Sequence, residues 1–177
     1  NQRLNIRTST QVPYHVRRLI APLIGLPVKR IRVFKPRIGG GFGNKQEMVL
    51  EDLCAHLTIA TGKPVRMEMT RDQEFSSTRT RHPEIMSFKI GVKDGKVSAV
   101  ELYMISDTGA YGTHGATTNI AGAYKGLTLY NPPNVHYVGD IVYTNLPISG
   151  AFRGYGGMQC LYGMEVAMAE VADKLGV

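Results

Sequence analysis

Four glycines within residues 37–47 constrain this chain more than any other feature of its sequence. The segment reads Arg-Ile-Gly-Gly-Gly-Phe-Gly-Asn-Lys-Gln-Glu. An alternating pattern typical of a strand precedes it at 29–35, and apolar residues at roughly helical spacing follow it up to residue 61. Because glycine has no Cβ, a ligand can approach the backbone closely, and amides near a helix start can donate hydrogen bonds to an anionic group. The segment therefore predicts a binding loop between a strand and a helix.

Two common glycine motifs do not fit this loop. A P-loop requires glycine before its lysine and serine or threonine after it, whereas Asn44 precedes Lys45 and Gln46 follows it. A dinucleotide-binding fingerprint would need a further glycine where Asn44 stands. Two interpretations remain from the residues alone: a turn that lets strand and helix pack closely, or a loop that binds another kind of ligand.

Three separated segments of the sequence carry a common resemblance. Residues 39–45 read Gly-Gly-Gly-Phe-Gly-Asn-Lys, and residues 150–159 read Gly-Ala-Phe-Arg-Gly-Tyr-Gly-Gly-Met-Gln. Residues 9–11 read Ser-Thr-Gln. In order and spacing these segments resemble the molybdenum-site segments of the large subunit of xanthine dehydrogenases and related molybdenum hydroxylases. We name residues 39–45 the first loop and residues 150–159 the second loop. The resemblance is specific for the superfamily and much less so for the substrate.

The resemblance implies a cofactor-binding role for residues at the matching positions. Gln11 would donate its side-chain amide to an oxygen on molybdenum, and the backbone at Gly41, Phe42 and Gly43 would approach the pterin. Arg153 would present its backbone amide to an oxygen ligand of the metal. In this family the metal is held by the pterin dithiolene, so Gln11, Phe42 and Arg153 would make outer contacts to the metal's ligands.

Two further positions bear on the substrate. Tyr155 stands where the family has an aromatic ring that packs against a flat heterocycle. Gln46 would recognise the polar edge of that substrate, although purine-oxidising members have a glutamate there. Those members also have an arginine at the position that falls at Ala121, and Lys125 could replace it only as a point charge. The resemblance implies a purine such as xanthine as substrate, with nicotinate or an aldehyde as alternatives.

The resemblance also implies what surrounds this chain. The cofactor would be molybdenum-molybdopterin, in its simple or cytosine dinucleotide form, and the reaction would be a hydroxylation with water as the oxygen source. FAD and [2Fe-2S] centres would lie on partner subunits or domains. The family's catalytic glutamate lies in a Gly-x-Gly-Glu segment, which this sequence lacks. We therefore expect residues 1–177 to be a fragment of the molybdopterin-binding domain, with subdomains of about 1–70 and 83–177, that is inactive without the remainder of its subunit.

The positive charge of the chain supports an alternative function that is not enzymatic. The chain has a formal net charge of +7, and residues 1–46 contain ten Lys or Arg and no Asp or Glu. A basic non-catalytic module that binds nucleic acid is the alternative. No aromatic ladder for stacking bases accompanies these charges, so we expect no nucleic-acid partner. The sequence has no apolar run of about 18 residues and no signal-peptide core at its start, which predicts a cytoplasmic protein without a membrane partner.

Histidines and cysteines give little support for other chemistry. The five histidines lack the spacing of a protein-ligated metal site, and only His114 lies in a glycine-rich stretch where a catalytic role could be argued. Cys54 and Cys160 each fall in an apolar helical pattern, which predicts buried free thiols. No Gly-x-Ser-x-Gly motif of a serine hydrolase is present.

Hydrophobic periodicity predicts an α+β fold with helices packed on mixed sheets. The resemblance implies that this fold is a molybdopterin-binding domain of the xanthine dehydrogenase and aldehyde oxidoreductase type. The strongest signal is a hairpin across Asp94-Gly95. The predicted strands are 4–11, 29–35, 65–69, 88–92, 97–105 and 135–144. The predicted helices are 14–24, 47–61 and 160–175, with a polar junction at 70–82 and a long ordered loop or short helix at 107–126.

Overall fold

The computed structural model describes residues 3–177 of the protein. The chain divides into two compact units, Asn1–Thr78 and Arg79–Val177. Each unit has its own hydrophobic core. The first loop lies in the first unit and the second loop lies in the second unit.

Within residues 3–78, the first unit contains one βαβ arrangement, with a 3₁₀ helix at Val28–Arg30 before its second strand, and two further α-helices. Its elements are β1 (Leu4–Arg7), α1 (Pro13–Leu23), β2 (Ile31–Phe34), α2 (Glu51–Thr61) and α3 (Arg71–Ser77). The strands β1 and β2 pair in parallel, with Leu4 opposite Ile31. Parallel pairing requires a crossover, which α1 supplies. Its core consists of Ile6, Ile20, Ala21, Ile31 and Ala55.

The second unit is a mixed three-stranded sheet covered by two helices. Its elements are β3 (Glu84–Lys93), β4 (Lys96–Asp107), α4 (Gly115–Leu127), β5 (Val135–Val142) and α5 (Gly157–Leu175). β3 and β4 are antiparallel, and β4 and β5 are parallel. Asp94 and Gly95 have φ values of 52° and 74°, the left-handed pair that a tight hairpin turn needs. The core consists of Val100, Leu102, Met104, Ala123, Leu127, Cys160 and Met164.

This architecture confirms the predicted α+β class, the hairpin and the main helices. The predicted strand at 65–69 is wrong, because no strand within residues 3–177 pairs with it. The first strand ends at Arg7 rather than at residue 11. The polar junction contains α3, whose first turn is closed by reciprocal hydrogen bonds between Thr70 and Gln73.

The helix predicted from residue 47 begins at Glu51 because the Glu51 side chain holds the preceding turn. Its Oε2 accepts hydrogen bonds from the backbone amides of Val49, at 2.9 Å, and Leu50, at 3.1 Å. Its Oε1 accepts one from the Thr8 hydroxyl at 2.7 Å. Glu51 is only 8% exposed, so these three donors replace the water that its carboxylate loses.

Cys54 and Cys160 are free thiols, as predicted, although only Cys160 is fully buried. None of the helices formed by residues 3–177 is long and apolar enough to span a bilayer.

Candidate cofactor and substrate site

The first loop follows β2 and has an unusual backbone. Gly40, Phe42 and Gly43 have φ values of 122°, 52° and 96°. A left-handed conformation is uncommon for a bulky residue such as phenylalanine. Two turns stabilise it, since the amide of Asn44 donates to the Gly41 carbonyl and the amide of Gln46 donates to the Gly43 carbonyl, both at 2.9 Å. Phe42 is 62% exposed, so it is not packed in the core of this unit.

The side chain of Gln11 lies directly on this loop. Its Oε1 accepts hydrogen bonds from the backbone amides of Gly43, at 3.0 Å, and Lys45, at 3.3 Å. A Cβ at position 41 would lie 2.6 Å from Gln11 Cγ and still closer to the amide group, so any other residue there would displace the Gln11 side chain. Because only the oxygen of a carboxamide can accept from an N–H, these bonds fix which end is which. The NH₂ group of Gln11 is therefore directed away from these two loop amides.

The segment containing Gln11 is fastened to the loop by Lys45. The backbone amide of Gln11 donates to the Lys45 carbonyl at 2.8 Å, and the Thr10 hydroxyl donates to the same oxygen at 3.3 Å. The Lys45 ammonium donates to Ser9 Oγ at 2.8 Å. Residues 9–11 and the first loop, which the sequence resemblance linked, thus form one hydrogen-bonded cluster in the first unit.

Gln46, the residue expected to meet the substrate's polar edge, immediately follows this cluster. It is partly buried, and its backbone amide closes the second turn of the loop. The neighbouring Asn44 side chain donates to Thr78 Oγ1 at 3.3 Å, which ties the loop to the end of α3.

The second loop contains three successive left-handed residues. Gly154, Tyr155 and Gly156 have φ values of 95°, 46° and 78°. The amide of Tyr155 donates to the carbonyl of Phe152 at 2.7 Å. In a trans peptide the N–H points opposite to the carbonyl. Holding the Phe152 carbonyl inside this turn therefore directs the amide of Arg153 away from it.

Two cations hold the carbonyl side of the second loop. Arg81 Nη2 donates to the Arg153 carbonyl at 2.7 Å, and its guanidinium lies 4.7 Å from the centre of the Phe152 ring. Lys125 Nζ donates to the carbonyls of Gly154, at 2.8 Å, and Tyr155, at 3.3 Å. The three consecutive carbonyls of residues 153–155 are thus bound by positive charge. The structure therefore engages the Lys125 ammonium in the loop itself, a role that sequence reasoning did not assign.

The backbone of helix α4 packs directly against the backbone of the second loop. A Cβ at Gly156 would clash with the Thr118 carbonyl, and a Cβ at Gly122 would lie 2.8 Å from the Gly156 oxygen. Ala121, the position that the sequence resemblance matched to an arginine of purine-oxidising members, is on the same helix and is half-buried.

The hydroxyl of Tyr155 is bound at the start of α4. It lies 2.6 Å from Nδ1 of His114 and 2.6 Å from Oγ1 of Thr117. The two rings meet edge to face, with centroids 5.6 Å apart and an interplanar angle of 88°. The sequence indicated Tyr155 through the resemblance, and it gave no sign that His114 would contact it.

The second unit also contains a series of hydrogen-bonded, largely buried polar side chains that the sequence analysis did not predict. The Ser106 hydroxyl donates to Glu84 Oε1 at 3.2 Å, and Asn119 Nδ2 donates to Ser106 Oγ at 2.7 Å. The Tyr137 hydroxyl donates to Asn119 Oδ1. Burial raises the pKa of Glu84 from 4.5 to about 7 and that of Tyr137 from 10.0 to about 12. In the sequence, a serine on the core side of a strand was the only indication of these buried polar contacts.

Comparison with known proteins places these loops in a family. The family model of the molybdopterin cofactor-binding domain matches residues 1–177. The chain belongs to that family.

Named relatives and solved structures agree with this assignment. A probable hypoxanthine oxidase of Escherichia coli is 40% identical over 176 residues, which is 99% of this chain and 18% of the relative. The large molybdopterin subunit of a nicotinate dehydrogenase of Eubacterium barkeri is 38% identical over 175 residues, covering 98% and 41% of the two chains. The aldehyde oxidoreductase structure from Desulfovibrio gigas superposes with a TM-score of 0.92 at 33% identity, over 98% of this chain and 19% of that chain. The chain therefore spans less than half the length of each of these relatives.

Proposed function

We propose that this chain binds a molybdenum-molybdopterin cofactor through both loops and forms part of a molybdenum hydroxylase that uses water as its oxygen source. The observation that carries the proposal is the orientation of Gln11. Its carbonyl oxygen is occupied by two loop amides, so its NH₂ group is the end that remains to donate to a ligand. Family membership gives that ligand its chemical class.

The described residues fit such a cofactor. Among residues 3–177 no group of three or more His, Cys, Asp or Glu side chains could hold a metal ion. The Gly41 position, where a Cβ would collide with Gln11, keeps the loop backbone open to close approach. We assign the Gln11 side chain, the backbone of Gly41, Phe42 and Gly43, and the Arg153 amide to cofactor binding. Gln11, Phe42 and Arg153 would make the outer contacts to the metal's ligands.

When bound, the cofactor supplies a two-electron acceptor for oxidation of an electron-poor carbon. This chain's contribution is a set of donors held in place before the reaction. Gln11 is fixed by the loop amides. The Arg153 amide is oriented by the turn that holds the Phe152 carbonyl, and Arg81 binds the Arg153 carbonyl. Donors that do not have to reorient stabilise developing negative charge at little reorganisation cost. Tyr155 would stack the substrate, and Gln46 would bind its polar edge.

The remaining parts of the reaction are assigned to other parts of a larger protein. The catalytic glutamate would come from the remainder of the molybdenum subunit, and partner iron–sulfur and FAD subunits would carry electrons onward. The pterin is either the simple form or the cytosine dinucleotide. Free Cys54 and Cys160 support a reducing compartment, and we place the protein in the cytoplasm.

We propose a purine such as xanthine as the substrate, because the hypoxanthine oxidase relative is 40% identical. Nicotinate is the alternative that the nicotinate dehydrogenase relative supports, and an aldehyde is the alternative that the aldehyde oxidoreductase structure supports. Gln46 is neutral and can both donate and accept hydrogen bonds, so it suits the mixed edge of any such heterocycle.

Paired variants of Gln11 test the cofactor assignment. Gln11→Glu keeps an oxygen for the two loop amides and loses the NH₂ donor, whereas Gln11→Ala loses both. In the full subunit expressed with its partners, we expect kcat to fall about 100-fold or more in Gln11→Glu, the typical effect of removing one preorganised donor. Molybdenum content by mass spectrometry and thermal unfolding are measured in parallel. Unchanged turnover in both variants, or an assembled wild-type protein without molybdenum, would refute the assignment.

Gln46→Glu tests the substrate class. The glutamate restores the residue of purine-oxidising members, so we expect kcat/KM for xanthine to rise relative to that for nicotinate. The panel is xanthine, hypoxanthine, nicotinate and a flat aromatic aldehyde, each assayed with wild type and variant. If nicotinate or the aldehyde is turned over by wild type and neither purine is, the purine assignment is wrong and the cofactor assignment stands.

A further inference from the structure

We propose that His114 and Thr117 are positioning residues that fix the ring of Tyr155 through its hydroxyl group, so that the second loop offers one ring orientation to a flat substrate. The inference rests on the proposed function, in which Tyr155 packs against that substrate. It assigns a role to His114 and Thr117, which the resemblance does not assign, and it states what the hydroxyl group of Tyr155 contributes.

The backbone around Tyr155 does not by itself define the ring. Tyr155 lies between two glycines that are both left-handed. Glycine restricts its neighbours little, because it lacks the Cβ that limits rotation of the adjoining peptides. Tyr155 is partly exposed, so core packing alone does not immobilise it. The ring therefore needs an anchor outside the loop.

Helix α4 supplies that anchor from a rigid element. His114 is the residue just before Gly115, where α4 begins, and Thr117 is in the first turn. Both reach the same oxygen of Tyr155, each at 2.6 Å. Lys125, near the end of the same helix, holds the Tyr155 carbonyl at 3.3 Å. One helix thus binds Tyr155 at both its backbone and the tip of its side chain.

Hydrogen counting shows that the anchor survives in either tautomer of His114. The Thr117 hydroxyl has one hydrogen and also lies 3.1 Å from the His114 carbonyl. If Thr117 donates to that carbonyl, Tyr155 donates to Thr117 and His114 Nδ1 carries the hydrogen. If Nδ1 is bare, Tyr155 donates to it and Thr117 donates to Tyr155. The direction of the chain changes, and the position of the ring does not.

The positioning role predicts that His114 and Tyr155 act as one unit. Tyr155→Phe keeps the ring and removes the shared oxygen, and His114→Ala removes one anchor. In the assembled holoenzyme we expect either change to raise KM about tenfold, a factor in the range of a lost hydrogen bond, with kcat changed less than about twofold. The double variant should show no further rise over Tyr155→Phe, because that change already removes the contact that His114 makes. Additive effects would overturn the proposal.

Two matched variants separate positioning from general structure. His114→Asn retains a polar group near the place of Nδ1, so we expect it to recover a large part of the loss in His114→Ala. Tyr124→Phe removes a hydroxyl from an exposed tyrosine on the same helix and should leave KM unchanged. A KM rise in Tyr124→Phe equal to that in Tyr155→Phe would also overturn the proposal.

A readout without turnover tests the anchor itself. Nitrogen-15 NMR of histidine side chains in this chain should show a His114 Nδ1 signal, identified by its loss in His114→Ala, that shifts in Tyr155→Phe and not in Tyr124→Phe. A missing shift overturns the anchor whatever the enzyme does. An assembled wild-type protein without molybdenum overturns the proposed function instead, and so the two failures are distinguishable.

Discussion

Gln11 illustrates how a single side chain can be predicted in place and remain undefined in geometry. The sequence separation between Gln11 and Phe42 was sufficient to link Gln11 to the first loop through the resemblance. The direction of its amide followed only from the contacts with Gly43 and Lys45. From the sequence alone, a glutamine at the end of a strand has an equally ordinary structural explanation.

Glu84 is the opposite case, because neither a motif nor a pattern identified it. It opens β3, where alternation gives no warning that its carboxyl meets Ser106 from the neighbouring strand. Burial is the largest cause of its raised pKa, and it outweighs the Ser106 hydrogen bond and the charge of Arg81, which both lower that pKa. A property that depends on which strands are paired could not be found before the sheet was known.

Glu84→Gln should change how stability depends on pH. The pKa of Glu84 is about 7 in the folded chain against 4.5 ordinarily, so the folded state binds the proton more tightly. The stability gained from the protonated carboxyl is full below about pH 4.5 and is lost as the pH rises through about 7. Because the group is partly exposed, we expect an effect on the order of 1 kcal/mol rather than the full value of the shift.

The measurement is the free energy of unfolding by urea at pH 5 and at pH 8. Wild type should lose more stability between these values than Glu84→Gln does. Glu170→Gln, at an exposed position on α5, is the control and should behave like wild type. Equal pH dependence in wild type and Glu84→Gln would show that the carboxyl is ionised at both values.

Among the elements, the hairpin and α4 show what local pattern can and cannot give. Asp94-Gly95 predicts its turn because these residues tolerate left-handed angles. The stretch 107–126 was predicted as a long ordered loop or a short helix, and residues 115–127 form a regular helix of 13 residues. Packing explains this, since a Cβ at Gly126 would collide with Cys160 and one at Gly122 would approach Gly156. These close contacts are between elements far apart in sequence, so no local pattern reports them.

Gly122→Ala should destabilise the second unit even though alanine favours helix. The propensity gain is about 1 kcal/mol, whereas overpacking against a backbone typically costs about 1–3 kcal/mol. The new Cβ would lie 2.8 Å from the Gly156 oxygen, which cannot move without shifting the second loop. We expect a net loss of about 1 kcal/mol in unfolding free energy, measured by urea titration.

Gly163→Ala is the matched control for this helix–loop contact. Its Cβ would lie 3.1 Å from the side chains of Met86 and Phe88, which can adjust more easily than backbone. It should cost less than Gly122→Ala or stabilise α5. A larger loss in Gly163→Ala than in Gly122→Ala would contradict the importance that we give to the backbone contact.

For the whole molecule, fold class was predicted well because helical and strand periods alternate clearly along the chain. Strand pairing was not predicted: β5 pairs with β4 in parallel, and residues 65–69 pair with no strand within residues 3–177. The net charge of +7 left a nucleic-acid-binding module open as an alternative. Part of that charge is used inside the chain, since Lys45 binds Ser9 and Arg17 binds the Val28 carbonyl at 2.8 Å.

We therefore expect no specific nucleic-acid binding at physiological salt. Weak association at low salt should fall steeply as salt rises, as for any cation cluster that releases counterions. Fluorescence anisotropy with a labelled duplex and a labelled single strand, at about 50 and 200 mM salt, measures this. Micromolar affinity that persists at the higher salt would favour the basic binding module over the oxidoreductase.

The parallel pairing of β4 with β5 has a consequence for how this chain reaches its fold. The β3–β4 hairpin closes across one tight turn and forms from neighbouring residues, whereas Val100 meets Val135 only after the intervening helix has formed and turned back. Closing the longer loop carries a larger entropic cost and comes later. During synthesis the β3–β4 hairpin would form first, and the edge of β4 that later pairs with β5 would remain unpaired. Such an unpaired strand edge can pair with other molecules. The yield of folded protein should then depend on how quickly residues 108–134 fold, more than on the final stability of the sheet.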